Sequence, residues 1–257
     1  MRSMGKVEKY IHDGIERDGA LLFVLIDPLD YPSLGRAVDT ASEACEAGAD
    51  IILIGGSIGV QGDILDEVTK RIKEKVNVPI VLFPGNTGTL TKAADAVYFM
   101  QLLNSRNPYW ISQAQALAAP IVKQLGIEAL PVGYIVVEPG GTVGWVGDAN
   151  KVPRSKSHIA ALLALAGEYA GSRFIVTDVG SASELGPVPL DMVRAVRKAI
   201  SVPYIVAGGI KTKQQAGDIV KAGADAIHIG TAAQNSRNVG KTIKEFVKVV
   251  KAEGRKK

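Results

Sequence analysis

The stretch Tyr204-Ile205-Val206-Ala207-Gly208-Gly209 decides the fold, because His228-Ile229-Gly230-Thr231 answers it one helix-length further on. Two short apolar strands that each end in glycine, with a helix between them, are how a barrel builds a phosphate cradle. Glycine lets backbone N–H groups approach an anion without a Cβ in the way, and a following helix start adds the positive end of its dipole. Such cradles sit in the loops after strands seven and eight of (β/α)8 barrels.

Working outward, six more apolar runs precede these two. The eight predicted strands are Leu21 to Asp27, Ile51 to Ser57, Pro79 to Gly85, Ala96 to Asn104, Ala129 to Glu138, Arg173 to Gly180, Pro203 to Ile210 and Ala226 to Ala232. Their hydrophobicity is nearly continuous rather than alternating, as parallel strands covered by helices require. Helical spacing of apolar residues marks Ser33 to Ala47, Ile64 to Val76, Trp110 to Leu125, Ser157 to Ala170, Leu190 to Ile200, Lys213 to Ala222 and Val239 to Lys251. The repeats Glu46-Ala-Gly-Ala-Asp50 and Lys221-Ala-Gly-Ala-Asp225 place a glycine where each helix stops before the next strand. Between strands three and four only Asn86 to Asp95 remains, too short for a crossover helix and its loops. The expectation is an α/β chain, a single (β/α)8 TIM-type barrel over residues 1–257 with a missing or reduced third helix. The gap in the outer ring would admit a long apolar ligand.

Bulk properties narrow the class. The chain has 257 residues, near the ~250 typical of this barrel, and 47% hydrophobic residues. No apolar run reaches the ~18 residues needed to span a bilayer. Met1 to Lys9 is charged and has no apolar core, which argues against a signal peptide and for a cytoplasmic protein. Cys45, the single cysteine, reads as a buried thiol. The net charge of +4 is concentrated in the tail of Lys248, Lys251, Arg255, Lys256 and Lys257. This basic C-terminal tail reads as a solvated helix end, with transient contact to an anionic membrane surface as the alternative. No basic stripe studded with aromatics is present, which argues against nucleic acid.

Active-site residues of such barrels lie at the carboxyl ends of the strands. Strand one ends in Asp27, which either points into the mouth or caps the next turn. Strand two ends in Gly55-Gly56-Ser57. Phe83-Pro84-Gly85-Asn86 after strand three reads as a turn. Strand five carries Tyr134, either a hydroxyl donor or a rim packing residue, and opens into Pro139-Gly140-Gly141-Thr142. Strand six ends Thr177-Asp178-Val179-Gly180-Ser181. No lysine lies inside a strand, which disfavours a Schiff base, and Lys211 beside Gly209 suits phosphate neutralisation. His12 and His158 read as helix surface, and His228 points into the barrel or into the helix layer. Zinc lacks its ligand spacing. Asp27 with Ser57 and phosphate oxygens suits Mg²⁺ instead.

The set Leu25-Ile26-Asp27-Pro28, Gly55-Gly56-Ser57, Phe83-Pro84-Gly85, Gly133-Tyr134-Ile135-Val136, Pro139-Gly140-Gly141-Thr142, Trp145 to Asn150, Gly180-Ser181, Ala207 to Ile210 and Gly230-Thr231 resembles the geranylgeranylglyceryl phosphate synthase family along nearly the whole chain. The resemblance implies a Mg²⁺-dependent prenyltransferase. It would join the geranylgeranyl group of geranylgeranyl diphosphate to the C3 hydroxyl of sn-glycerol 1-phosphate, an early step of archaeal membrane lipid synthesis. Asp27 and Ser57 then resemble the metal positions, and Gly180, Ser181, Gly208, Gly209, Gly230 and Thr231 the glycerol-phosphate cradle. Many members end strand six in Tyr-Leu-Glu-Ala-Gly-Ser-Gly, where this chain has Val176-Thr177-Asp178-Val179-Gly180-Ser181-Ala182. Asp178 would take the acceptor's proton, and Tyr134 on the fifth strand could supply a hydroxyl instead. Tyr98, Phe99, Tyr109 and Trp110, beside the missing helix, are candidates for the prenyl groove and equally for core. The resemblance also implies a homo-oligomer, up to a hexamer, with Trp145 at an interface. Rival readings are another phosphate-barrel isomerase or synthase, a relative with a longer prenyl donor such as heptaprenyl, and a phosphate- or lipid-binding barrel without catalysis.

Overall fold

In the computed structural model, which describes residues 4–56 and 58–257, eight parallel strands close into a barrel in sequence order. They are β1 (Leu21–Ile26), β2 (Ile51–Ile54), β3 (Ile80–Leu82), β4 (Ala96–Leu102), β5 (Glu128–Val136), β6 (Phe174–Asp178), β7 (Tyr204–Ala207) and β8 (Ala226–Ile229). Closure comes from β8 pairing with β1, Leu21 opposite Ala226. Alternate side chains divide between two cores. Leu21, Phe23, Ile51, Leu53, Tyr98 and Tyr134 fill the barrel, while Leu22, Val24, Ile52 and Ile54 meet the helices. Both faces are therefore dry, which is why the strands read as unbroken apolar runs.

Each strand ends earlier than its sequence run. β7 stops at Ala207 because Gly208 and Gly209 take φ of +79° and +65°, a left-handed backbone that breaks the ladder. The helices around the ring are α1 (Lys6–Asp18), α2 (Leu34–Glu46), α3 (Gly62–Lys73), α4 (Ala114–Leu125), α5 (Gly141–Val146), α6 (Ser157–Tyr169), α7 (Leu190–Ala199), α8 (Lys213–Lys221), α9 (Thr231–Gln234) and α10 (Val239–Gly254). No helix joins β3 to β4, in agreement with the short crossover. A π-helical turn at Tyr109–Gln113 leads into α4. The helices α1, α5 and α9 were not expected from periodicity. Thr231, placed in strand eight by its apolar neighbours, is instead the first residue of α9.

The repeated Ala-Gly-Ala-Asp segments do the same work twice. Gly48 and Gly223, at φ +99° and +122°, stop α2 and α8. The aspartates that follow turn back to neighbouring strands. Asp50 Oδ2 accepts the Leu22 N–H at 2.9 Å, and Asp225 Oδ2 accepts the Tyr204 N–H at 2.9 Å. Asp95, ahead of β4, likewise takes the Ile80 N–H at 2.8 Å. Each carboxylate satisfies a strand N–H at the amino end of the barrel that has no ladder partner of its own.

Helix α1 seals that end. Its Val7 and Ile11 join the interior core, and the Glu128 carboxylate accepts the Val7 and Glu8 N–H groups at 2.7 and 3.0 Å. The C-terminal tail adds to the seal: Lys248, Arg255, Lys256 and Lys257 are exposed as a solvated helix end should be, yet three of the five basic residues also pair with acids at the barrel's amino end. Lys251 bridges Asp18 at 3.0 Å and Asp50 at 2.8 Å, Arg255 meets Asp18 at 2.8 Å, and Lys257 meets Asp225 at 2.8 Å. Composition could not show this, because the partner acids lie more than a hundred residues away or in other elements.

Candidate functional site

At the opposite end the strand termini open into a mouth. Gly208, Gly209, Lys211, Gly230 and Thr231 line one cavity there, with Ser181, Asp178 and Asp27. Gly180 is the exception among the expected cradle residues. It lies outside that lining, and its N–H is spent on Asp178 Oδ1 at 2.6 Å. In this arrangement the Gly180 N–H faces the Asp178 carboxylate and not the cavity lined by the other expected cradle residues.

Asp178, at the end of β6, is the most constrained acid of the mouth. Its Oδ2 accepts the Tyr134 hydroxyl at 2.5 Å. Burial pushes its carboxyl above the ordinary range, against the pull of the Tyr134 and Gly180 hydrogen bonds. Burial, then the neighbouring Asp178 charge, pushes the Tyr134 phenol far up, so it stays a donor. The register explains the pairing. Tyr134 sits opposite Val176 and Val136 opposite Asp178, so the phenol reaches past a small side chain to the acid. Tyr134 is thus a polar partner and not a rim packing residue.

Asp27 does not cap the turn that follows it: no side-chain cap bond forms. Instead its carboxylate stands at the edge of the cavity, and burial, then the charges of Asp30 and Asp178, raise its pKa to about 7. Among the described residues no cation forms a salt bridge with Asp27, Asp30 or Asp178. Ser57, the second expected metal position, lies outside the described residues. Among those residues no group of three or more acids, histidines and cysteines is set to hold a metal by itself.

A second cleft adjoins the first. It runs from Asp27 and Asp178 past Phe83 and Pro84 to Met100, Leu102 and Trp110. The last four of these, Phe83 aside, also line a groove with Val97, Phe99, Ala118 and Val122. That groove occupies the place of the missing helix. Phe99 and Trp110 line it as expected, whereas Tyr109 lies outside its lining and packs edge-on against Trp110, ring centroids 4.9 Å apart. Tyr98 borders the groove, but its hydroxyl turns into the barrel to His228 Nε2 at 3.0 Å. His228 thereby faces the interior, not the helix layer.

Sequence reasoning passed over two residues. Phe83 read as part of a turn, yet its ring lines both the cradle cavity and the apolar cleft. Arg154 carried no motif, yet it donates to the Glu138, Leu185 and Pro187 carbonyls at 3.3, 3.1 and 2.7 Å. It ties the loop after β5 to the loop after β6. Only the position of Phe83 at a strand end hinted at the first, and nothing local hinted at the second.

The chain is similar to known proteins in both sequence and fold. The family model described as the PcrB family matches residues 22–250. The chain is 51% identical over 242 residues to a geranylgeranylglyceryl phosphate synthase of Thermococcus kodakarensis, covering 94% of each. It is 50% identical over 237 residues to one of Pyrococcus horikoshii, covering 92% of each. Among solved structures it superposes with a TM-score of 0.91 on (S)-3-O-geranylgeranylglyceryl phosphate synthase from Thermoplasma acidophilum in complex with the substrate sn-glycerol-1-phosphate. That match has 35% identity and covers 97% of this chain and 100% of the other. A thiamine phosphate pyrophosphorylase from Pyrococcus furiosus, 17% identical at a TM-score of 0.63, shares the fold alone. The chain therefore belongs to the PcrB family, alongside the geranylgeranylglyceryl phosphate synthases it resembles.

Proposed function

We propose that this protein is a prenyltransferase that forms an ether bond between geranylgeranyl diphosphate and the C3 hydroxyl of sn-glycerol 1-phosphate, releasing diphosphate. The observation that carries the reading is the junction at Asp178. A cradle suited to a small phosphate and a cleft that continues into an apolar groove suited to a long chain share the buried Asp178 in their walls. Near-full-length identity to enzymes of that name supports it.

The acceptor's phosphate would sit against the backbone of Gly208, Gly209, Gly230 and Thr231, with Ser181 and the Lys211 ammonium beside it. The prenyl chain would lie in the groove of Phe99, Met100, Trp110 and Val122, where burial of each CH₂ contributes about 0.8 kcal/mol. As the donor's C1–O bond breaks, its electron pair leaves with the diphosphate. A lone pair of the acceptor's C3 oxygen forms the new C–O bond, and the hydroxyl proton passes to Asp178. Burial strengthens Asp178 as a base, while Tyr134 and Gly180 hold both of its oxygens in place. Positioning supplies much of the acceleration.

Asp27 fits a hard divalent ion. Among the described residues its carboxylate has no salt-bridge partner, it stands beside the site proposed for two phosphorylated ligands, and Mg²⁺ is held by one or two carboxylates plus substrate phosphates and waters. Asp27 would hold the ion, with Ser57 as the second position. Bound there, Mg²⁺ would neutralise charge on the departing diphosphate.

Beyond the site, Trp145 is 82% exposed on α5, and Leu162 and Tyr169 are 64% and 81% exposed on α6. Apolar area of this kind favours a second copy of the chain as partner, and the reading includes a homo-oligomer up to a hexamer. No described helix is long and apolar enough to cross a membrane, and the reading places the reaction in the cytoplasm. The test is incubation with labelled sn-glycerol 1-phosphate, Mg²⁺ and prenyl diphosphates of several lengths. Extractable prenylglyceryl phosphate, greatest with the geranylgeranyl donor, is expected. A folded sample inactive with every donor would overturn the assignment.

A further inference from the structure

The cradle cavity and the apolar cleft share six lining residues: Leu25, Asp27, Asp30, Phe83, Asp178 and Ser181. An acceptor held by one cavity and a donor held by the other can react only where these walls coincide. Acids and a hydroxyl in this set serve ions and protons. Phe83 is its only aromatic.

The ring is held firmly. Phe83 directly follows β3, its N–H donates to the Ile54 carbonyl at 2.8 Å, and Pro84 follows it. Beneath it lies an aromatic floor: the ring centroids of Tyr98, Tyr134 and His228 are 5.6, 5.8 and 5.8 Å away, inclined by 70°, 52° and 71°. Tyr98 and His228, from opposite strands, are tied to each other by their hydrogen bond. Burial pushes the His228 imidazole down to about 3, so the floor stays neutral at working pH. A cation in the shared part of the two cavities would therefore meet an aromatic ring and carboxylates among its walls, with a neutral aromatic cluster behind that ring.

Resting on the reading above, we propose that Phe83 is a catalytic residue whose ring stabilises the positive charge developing on the allylic carbon of the prenyl donor. As the C1–O bond breaks, the electron pair goes to the diphosphate and C1 becomes electron-poor. The ring shares that charge until the acceptor oxygen closes the new bond and its proton reaches Asp178. No electron or proton remains on Phe83. Its effect belongs to the transition state and therefore to kcat, not to ground-state binding.

The test replaces Phe83 with progressively fluorinated phenylalanines, which keep its size while draining the π face, and with Phe83→Leu, which removes it. Single-turnover transfer is read so that product release does not mask chemistry. The rate should fall stepwise with fluorination and about tenfold in Phe83→Leu, while KM for both substrates stays within about twofold. Should Phe83→Leu fail to fold, the near-isosteric fluorinated series still decides the matter. A flat rate across that series, or a rise in KM at constant kcat, would overturn the proposal. Transfer by the wild-type protein is measured first: if none occurs, the functional reading and the role of Phe83 fall together, whereas an active wild type with a flat series removes Phe83 alone.

Discussion

The two ends of the barrel use the same side chain in opposite ways. At the amino end, Asp18 is buried but ringed by Arg255, Lys251 and Arg17; burial pushes its carboxyl up, and those three cations more than reverse it, holding it well below its ordinary range. At the mouth, Asp27 is raised to about 7 by burial and by two further acids. One end is electrostatically finished by the chain itself. The other is left unfinished among the described residues, as the proposed binding of a cation and two phosphorylated ligands would require. Charge left unsatisfied by the fold is thus the mark of the functional end.

The sharpest way to break this comparison is Asp178→Asn, which preserves shape and removes the base. It should lower single-turnover transfer by about 10²–10⁴-fold with little change in affinity for the glycerol phosphate. A loss smaller than tenfold would take Asp178 out of the proton's path. Asp27→Asn should come next, cutting transfer by about a hundredfold and abolishing Mg²⁺ binding by titration calorimetry. Equal Mg²⁺ affinity in both proteins would place the ion elsewhere.

The stability effects of the same substitution should differ in sign at the two ends. Asp18 has a depressed pKa in the fold, so its stabilisation is present above the unfolded value of 3.8 and is lost as pH falls below it. Asp18→Asn should cost about 3 kcal/mol near pH 7 and progressively less in acid. Asp27 has a raised pKa, so stability declines as pH climbs from 3.8 towards 7. Asp27→Asn should therefore stabilise the metal-free protein at pH 8, by up to about 4 kcal/mol, and by nothing at pH 3.5. Denaturant titrations across pH check both, and parallel behaviour of the two variants would erase the distinction between the ends. The smallest effect on chemistry belongs to Trp145→Ala, expected to leave kcat unchanged while lowering the mass in solution. Unchanged assembly would remove Trp145 from an interface.

How much of this was legible follows the range of the interactions. The barrel, the absent helix between β3 and β4 and the glycines at 208, 209 and 230 are local facts: run length, spacing and the need for a bare backbone. Asp27 and Asp178 were legible because strand ends define the mouth. The strand limits were not, since apolar residues continue past the last ladder bond wherever the loop itself is buried, as at Val179 and Ile210. Helix α1 escaped notice because its apolar residues, Val7, Ile11 and Ile15, are sparse among charges and find their partners only inside the closed barrel. The tail's role and Arg154 depend on carbonyls and acids supplied by distant loops. Spent donors such as the Gly180 N–H also need coordinates, because glycine in a motif does not say which way its amide points.

The central claim is that the mouth grips two anions side by side, the acceptor's phosphate on bare backbone and the donor's diphosphate through an ion at Asp27. The most direct measurement is a crystal soaked with sn-glycerol 1-phosphate, Mg²⁺ and inorganic diphosphate. The account predicts the glycerol phosphate against residues 208, 209 and 230, and the metal on the Asp27 carboxylate with diphosphate beside it. Glycerol phosphate lodged away from those glycines, or Mg²⁺ and diphosphate bound without Asp27, would contradict it.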